Sequence, residues 1–290
     1  MRELTFSVPR DWDSSLLKNF LRRRCDVSAR LLARLKREPG GISVNGAHAT
    51  ALTLLRAGDG VRLVLPADDK LPPPRELPIA IVYEDEDLLV VDKPADMPVY
   101  PTPGHDRDTL ANAVSFCCRS KGCFFSFRPV YRLDKNTSGL IVLAKNAYAA
   151  SFLSHRIQKE YTAVCEGMLT GSGVIDRPIL LAPGSKIRRA VGPAGAKAVT
   201  RWESECRLAG HTLLKLRLET GRTHQIRVHM ASIGHPLAGD DLYGGHLGLI
   251  RRQALHCGDV RLIHPVEKKE MELSSALPED MEKLLCLCHE

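Results

Sequence analysis

No stretch of the chain approaches the ~18 consecutive apolar residues of a membrane-spanning helix, so no membrane association is expected. The opening segment MRELTFSVPRDWDSSLLKNF lacks an unbroken apolar core, so a secretory signal is not expected either. The nine cysteines are an odd number at irregular spacings. That pattern disfavours a disulfide scaffold and leads us to expect a cytoplasmic protein with reduced thiols. There is no Walker loop, no Gly-x-Gly-x-x-Gly, no Gly-x-Ser-x-Gly and no His-Glu-x-x-His, which removes several nucleotide-binding and hydrolytic classes. His224 and His229 are spaced for different helix faces, and Cys117, Cys118 and Cys123 lack a second pair at zinc spacing. Cys286, Cys288 and His289 read as a fraying tail. No metal is expected.

What is present begins with charge. The 290 residues suffice for about two domains and carry a net +7. Residues 1–66 hold 12 Lys/Arg against 6 Asp/Glu, so nearly all the excess lies in the first quarter. SLLKNFLRRRC (15–25) and SARLLARLKR (28–37) read as short helices, the second capped by Ser28. Arg30, Arg34 and Arg37 share a face of the second. GGISVNGAHAT turns at Asn45-Gly46, and LRAGDGVRLVLP (55–66) supplies a further strand. This order resembles an S4-type RNA-binding module, which implies that the three arginines contact RNA. The prolines of residues 67–78 read as a linker. From residue 79 to 290, strands and helices alternate without a regular βαβ rhythm, predicting an α+β domain. Helices are expected over 109–121 and over 223–234, the latter capped by Thr223.

The segment VYRLDKNTSGLIVLAKN (130–146) sets Asp134 in a polar turn between strand-like runs. Taken alone, Asp134 could close the turn by local hydrogen bonding or serve as a reactive carboxylate. The wider pattern bears on that choice. LLVVDKPADMPVYPTPGHDRDTLANA (88–113), FRPVYRLDKNTSGLIVLAKN (127–146), KEYTAVCEG (159–167) and GRTHQIRVHMASIGHPLAGDDLYGG (221–245) occur in order. Together they resemble the RluA-type RNA pseudouridine synthases.

The resemblance implies a mixed, largely antiparallel sheet with flanking helices and a central cleft. It also implies isomerisation of uridine in RNA to pseudouridine without cofactor or metal. By the matching motifs, Asp134 is the catalytic carboxylate, acting on C1′ or on a sugar proton. Arg222 is its ion partner, Tyr161 stacks on uracil and handles the C5 proton, and Arg132 holds the site open. His224, His229 and His235 are expected to be structural or RNA-facing. Tyr131 and Tyr100 replace a commoner His, which bears on the nucleotides at the entrance. The substrate is expected to be ribosomal RNA, with transfer RNA the other option, and no obligate protein partner is evident. Two rivals are a non-catalytic RNA-binding or ribosome-assembly protein and an enzyme acting on a free nucleoside.

Overall fold

A computed structural model describes residues 2–66 and 70–289. The N-terminal unit comprises β1 (Arg2–Ser7), α1 (Leu17–Arg23), α2 (Ala29–Leu35), β2 (Ile42–Val44), β3 (Ala47–His48) and β4 (Gly60–Leu65). Its antiparallel sheet runs β1-β4-β2-β3. The helices bury Leu17, Phe20 and Leu21 from α1 and Leu31, Leu32 and Leu35 from α2. Ser28 Oγ accepts from the Leu31 N–H at 3.2 Å, satisfying an otherwise unpaired N-terminal donor. Asn45 and Gly46 both take positive φ, 50° and 82°, which a two-residue hairpin requires.

Part of the expected proline linker is docked on the unit that follows it. Residues 67–69 of the expected linker lie outside the described residues. Beyond them, Pro72 O accepts from Ser115 Oγ at 2.7 Å and Pro73 O from Asn112 Nδ2 at 2.8 Å. Leu71 and Leu77 add apolar contact to the same cluster. Carbonyls without competing proline N–H groups therefore become the docking points on the following helix.

The larger unit continues with β5 (Ala80–Glu84), β6 (Leu88–Lys93), α3 (Leu110–Ser120), β7 (Ser138–Ala144), α4 (Ala147–Leu153) and β8 (Ile157–Glu166). Next come β9 (Ser172–Asp176), β10 (Ile179–Leu181), β11 (Arg189–Val191), β12 (Val199–Leu208), β13 (His211–Leu218) and α5 (Gln225–Ser232). The chain closes with β14 (Leu255–Ile263), β15 (Glu270–Ser274) and α6 (Glu279–His289). One nine-stranded sheet runs β5-β6-β7-β14-β8-β13-β12-β9, with β15 on β14. Every pairing in it is antiparallel except β7 with β14. The expected α+β class with a largely antiparallel sheet is what forms.

Alternation along the central strands builds two cores. Leu88, Val90, Leu140 and Val142 face α4 and α5, whereas Leu89, Val91, Ile141 and Leu143 face α3. Every residue of β7 is buried, as a strand covered on both faces must be. The C-terminal segment corrects the reading of a fraying tail. In α6, Met281, Leu284 and Cys288 are buried against Val164, Leu208 and Ala254. Among the described residues, no helix is long and apolar enough to cross a membrane.

The two units are joined by more than the chain. Tyr148 of α4 is buried in the N-terminal core. Arg2 donates to both Asp87 oxygens at 3.0 and 2.7 Å, and Arg156 pairs with Asp26 at 2.7 Å.

Candidate active site

The Asp134 turn lies immediately before β7, where Thr137 N–H donates to Asp134 O at 3.0 Å. Two buried cations grip its backbone. Arg252 Nη1 donates to Asn136 O at 3.1 Å, and Lys93 Nζ to Lys135 O at 3.0 Å. Lys93 also donates to Pro94 O and Met97 O at 2.7 and 2.9 Å. Burial, then the nearby Arg252, push the Lys93 pKa down to about 7, and Asp134 opposes them. Three carbonyl acceptors require three N–H donors, so the geometry holds the charged ammonium. The result is a fixed backbone beneath a carboxylate that remains partly open, with 22 % of its side chain exposed.

The Asp134 carboxylate faces Arg227, which corrects the expectation for Arg222. Arg227 Nη1 lies 3.5 Å from Asp134 Oδ2, while Arg227 Nε and Nη2 each donate to the buried Asp240 at 2.7 Å. Arg222 lines the same cleft, but its Nε donates to Lys197 O at 3.0 Å. The cause lies at the start of α5. His224 takes a left-handed φ of 56°, so the chain turns sharply between the two arginines. Arg227 then falls in the first helical turn, beside Asp134. Thr223 is not the cap: Gln225 Oε1 instead accepts from the Arg222 N–H at 2.9 Å and from Thr220 Oγ1 at 2.8 Å.

Tyr161 on β8 opens into this cleft and is 5 % exposed. Burial, then the neighbouring Cys257 and Asp134, raise its pKa well above the ordinary phenol value, so it enters as a neutral phenol. Arg132 is exposed at the rim and donates through Nη2 to Thr223 Oγ1. Asp134, Tyr161, Arg132, Leu218, Arg222 and Ile226 are among the walls of one open hollow. One end is polar and charged; the other offers apolar side chains to a flat ring.

His224 Nε2 lies 3.9 Å from Asp134 Oδ2, and its Nδ1 meets Tyr243 Oη at 2.8 Å. His229 is buried between Thr200 Oγ1 and Arg177 O, at 2.8 and 2.9 Å. His235 Nδ1 meets Glu166 O at 2.9 Å. Tyr131 turns inward, donating to Leu140 O at 2.8 Å, so it is more a wall of the cleft than a rim contact. Tyr100 is half exposed and meets Phe127 edge to face.

The structure does not bring Arg30, Arg34 and Arg37 to this cleft. All three are exposed, and Arg37 lies beyond the end of α2. Arg34 instead shares a groove with Arg2, Arg128 and Lys145. Lys145 follows β7, whereas Asp134 precedes it, so the two hollows lie toward opposite ends of that strand. Sequence reasoning missed Arg227, Asp240, Lys93 and Arg252. The available signal was an arginine, Arg227, between apolar Ile226 and Val228, together with an acid pair at Asp240-Asp241.

Residues 87–232 match the model of the RNA pseudouridylate synthase family. The chain belongs to that family and isomerises uridine in RNA to pseudouridine. The uncharacterised RNA pseudouridine synthase YjbO of Bacillus subtilis is 39% identical over 269 residues, spanning 89% of this chain and 94% of that protein. Ribosomal large subunit pseudouridine synthase D of Escherichia coli is 41% identical over 231 residues, 73% of this chain and 71% of that protein. Among solved structures, human RNA pseudouridylate synthase domain containing 1 superposes with a TM-score of 0.57 at 26% identity. That match covers 71% of this chain and 86% of the human one.

Proposed function

We propose that the substrate is a uridine of large-subunit ribosomal RNA and that Asp134 carries the chemistry. The observation that supports this most directly is the partition of Arg227 between two carboxylates. Asp240 takes both short hydrogen bonds, and Asp134 keeps an adjacent positive charge with its oxygens still available. The Asp134 oxygens stay open for attack on C1′ or removal of a sugar proton, with a fixed guanidinium alongside. The N1–C1′ bond breaks, the uracil turns, and C5 bonds to C1′.

Tyr161 supplies a ring against which the uracil stacks and a hydroxyl near the C5 proton that is lost last. Arg132, at the rim, holds the opening around a nucleotide displaced from its helix. Arg222 contributes a second cation to the wall. The N-terminal unit, residues 1–66, acts as an S4-like RNA-binding module through Arg30, Arg34 and Arg37, and residues 79–290 form the catalytic domain. The 39–41% identity to bacterial relatives, one named for the large ribosomal subunit, supports the choice of RNA and a cytoplasmic setting.

The test is to map pseudouridines in RNA from cells with the gene, without it, and with Asp134→Asn alone. One or more large-subunit sites should be present only with the intact gene. Modification retained in the Asp134→Asn cells would remove Asp134 from the reaction, and sites lost only from transfer RNA would replace the substrate.

A further inference from the structure

Two hollows meet at Asp134. Adjoining the cleft of Tyr161, Leu218 and Ile226, and sharing Asp134, His224 and Arg227 with it, lies a second pocket. Its walls include Asp134, Lys135, His224, Arg227, Arg251 and Arg252, with Asp241 as the other carboxylate. Three of its four cations are engaged. Arg227 is held by Asp240, Arg252 by Asp280 at 2.6 and 2.8 Å, and Lys135 by the exposed Asp96 at 3.0 Å. Arg251 is exposed and has no ion-pair or hydrogen-bond partner among the described residues.

The position of Arg251 is nevertheless fixed. Arg252 Nη1 donates to Asn136 O, Gln253 O and Leu255 O at 3.1, 3.2 and 3.3 Å, tying this segment to the Asp134 turn. On the other side Gly239 takes φ +74°, and a Cβ there would stand 2.1 Å from Arg252 O. Residues 250–252 are therefore clamped between two turns of the site.

We propose that this second pocket is a phosphate subsite in which Arg251 receives a backbone phosphodiester of the RNA beside the target uridine. The assignment rests on the proposed reading of Asp134 and Tyr161. A ribose whose C1′ meets Asp134 carries a phosphodiester through O3′ and another through O5′. With the base in the Tyr161 cleft, the hollow adjoining it across Asp134, His224 and Arg227 is left for the backbone. A guanidinium presents paired N–H donors to phosphate oxygens, and a free one on a fixed segment is suited to that contact. Asp134 and Asp241 in the same walls limit the pocket to a single phosphodiester and disfavour a more highly charged anion.

The experiment compares full-length wild type, Arg251→Gln and Arg251→Lys on ribosomal RNA purified from cells lacking the gene. Arg251→Gln should raise the half-saturating RNA concentration about tenfold, and it should leave the saturating single-turnover rate within about twofold. Its log K against log salt slope should fall in magnitude by ~0.7, one phosphate contact on a single strand. Arg251→Lys should recover the slope, because the charge is retained. A wild-type slope and half-saturation in Arg251→Gln, with thermal melting showing it folded, overturn the subsite; so does a loss confined to the saturating rate. Failure of wild type to modify that RNA overturns the substrate reading instead. Salt-dependent binding to a uridine-rich oligoribonucleotide then decides the subsite, equal slopes for wild type and Arg251→Gln rejecting it.

Discussion

Arg227 stands between two aspartates that differ in every respect that matters to reactivity. Asp240 is fully buried, and both its oxygens accept from Arg227 at 2.7 Å. Asp134 is 22 % exposed, and its nearer oxygen lies 3.5 Å from the same guanidinium, near the outer limit of a hydrogen bond. The first arrangement consumes the carboxylate; the second leaves its oxygens open to the cleft. Under the proposed mechanism, one arginine thus separates a structural acid from the reactive one. A short Arg222–Asp134 pair, the arrangement the sequence suggested, would have tied up the oxygens the reaction needs.

The sharpest way to break this comparison is to neutralise each acid in turn. Asp134→Asn should lower the saturating single-turnover rate by more than about 10³-fold, while the free energy of unfolding changes by less than about 1 kcal/mol. Rates from rapid quench and a urea melt give both numbers, and measurable multiple turnover would remove Asp134 from the chemistry. Asp240→Asn should do the reverse first, costing about 3–5 kcal/mol of stability by leaving Arg227 buried with half its partners. The released guanidinium would then close on Asp134, so the rate should fall by about 10²-fold as well. A urea midpoint equal to wild type would show that Asp240 is not the structural acid.

Much of this architecture was legible because its signals are local. Ser28 before an apolar stripe and Asn45-Gly46 between short strands each mark an element by nearby chemistry, and each forms. Nothing local announces β1, where Leu4 is the single fully buried residue; its existence depends on pairing with β4. The α6 stripe of Met281, Leu284 and Cys288 was hidden by its place at the chain end. At the site, the motifs bring Asp134 and Tyr161 to one cleft. The choice between Arg222 and Arg227 turned on the left-handed backbone at His224, which residue type alone does not specify.

Tyr161 sharpens the comparison from the substrate's side. Its raised pKa keeps the phenol neutral, so its ring and its hydroxyl can be separated by one substitution. Tyr161→Phe should lower the saturating rate by about 10–100-fold and leave RNA affinity within about twofold. A wild-type rate in the variant would confine Tyr161 to stacking, and a large loss of affinity alone would take the hydroxyl out of proton transfer.

The smallest effect concerns His224, the other cation that Asp134 can meet. Burial, outweighing the attraction of Asp134, lowers its pKa below the usual 6.5, so the ring is neutral at and above that pH. On acidification a positive charge forms 3.9 Å from Asp134 Oδ2 and competes with the substrate for that oxygen. The saturating rate should therefore hold near neutrality and decline as pH falls below 6.5 toward the lowered pKa. In the same window the unfolded chain binds the proton before the native one does. Stability should thus fall as pH drops, by up to about 1.4 kcal/mol per pH unit for each such histidine. His229 and His256 are shifted down by burial too and contribute in the same direction. His224→Asn keeps a residue that tolerates the left-handed backbone, so the rate at pH 7.5 should change by less than about threefold. Its acid decline should begin at lower pH, and its stability slope below pH 6.5 should lose one proton's share while those of His229 and His256 remain. Saturating rates and urea melts from pH 5 to 8 read both effects. An acid limb identical to wild type would show that Asp134 meets only Arg227, and that the comparison of two acids around one arginine is complete without the histidine.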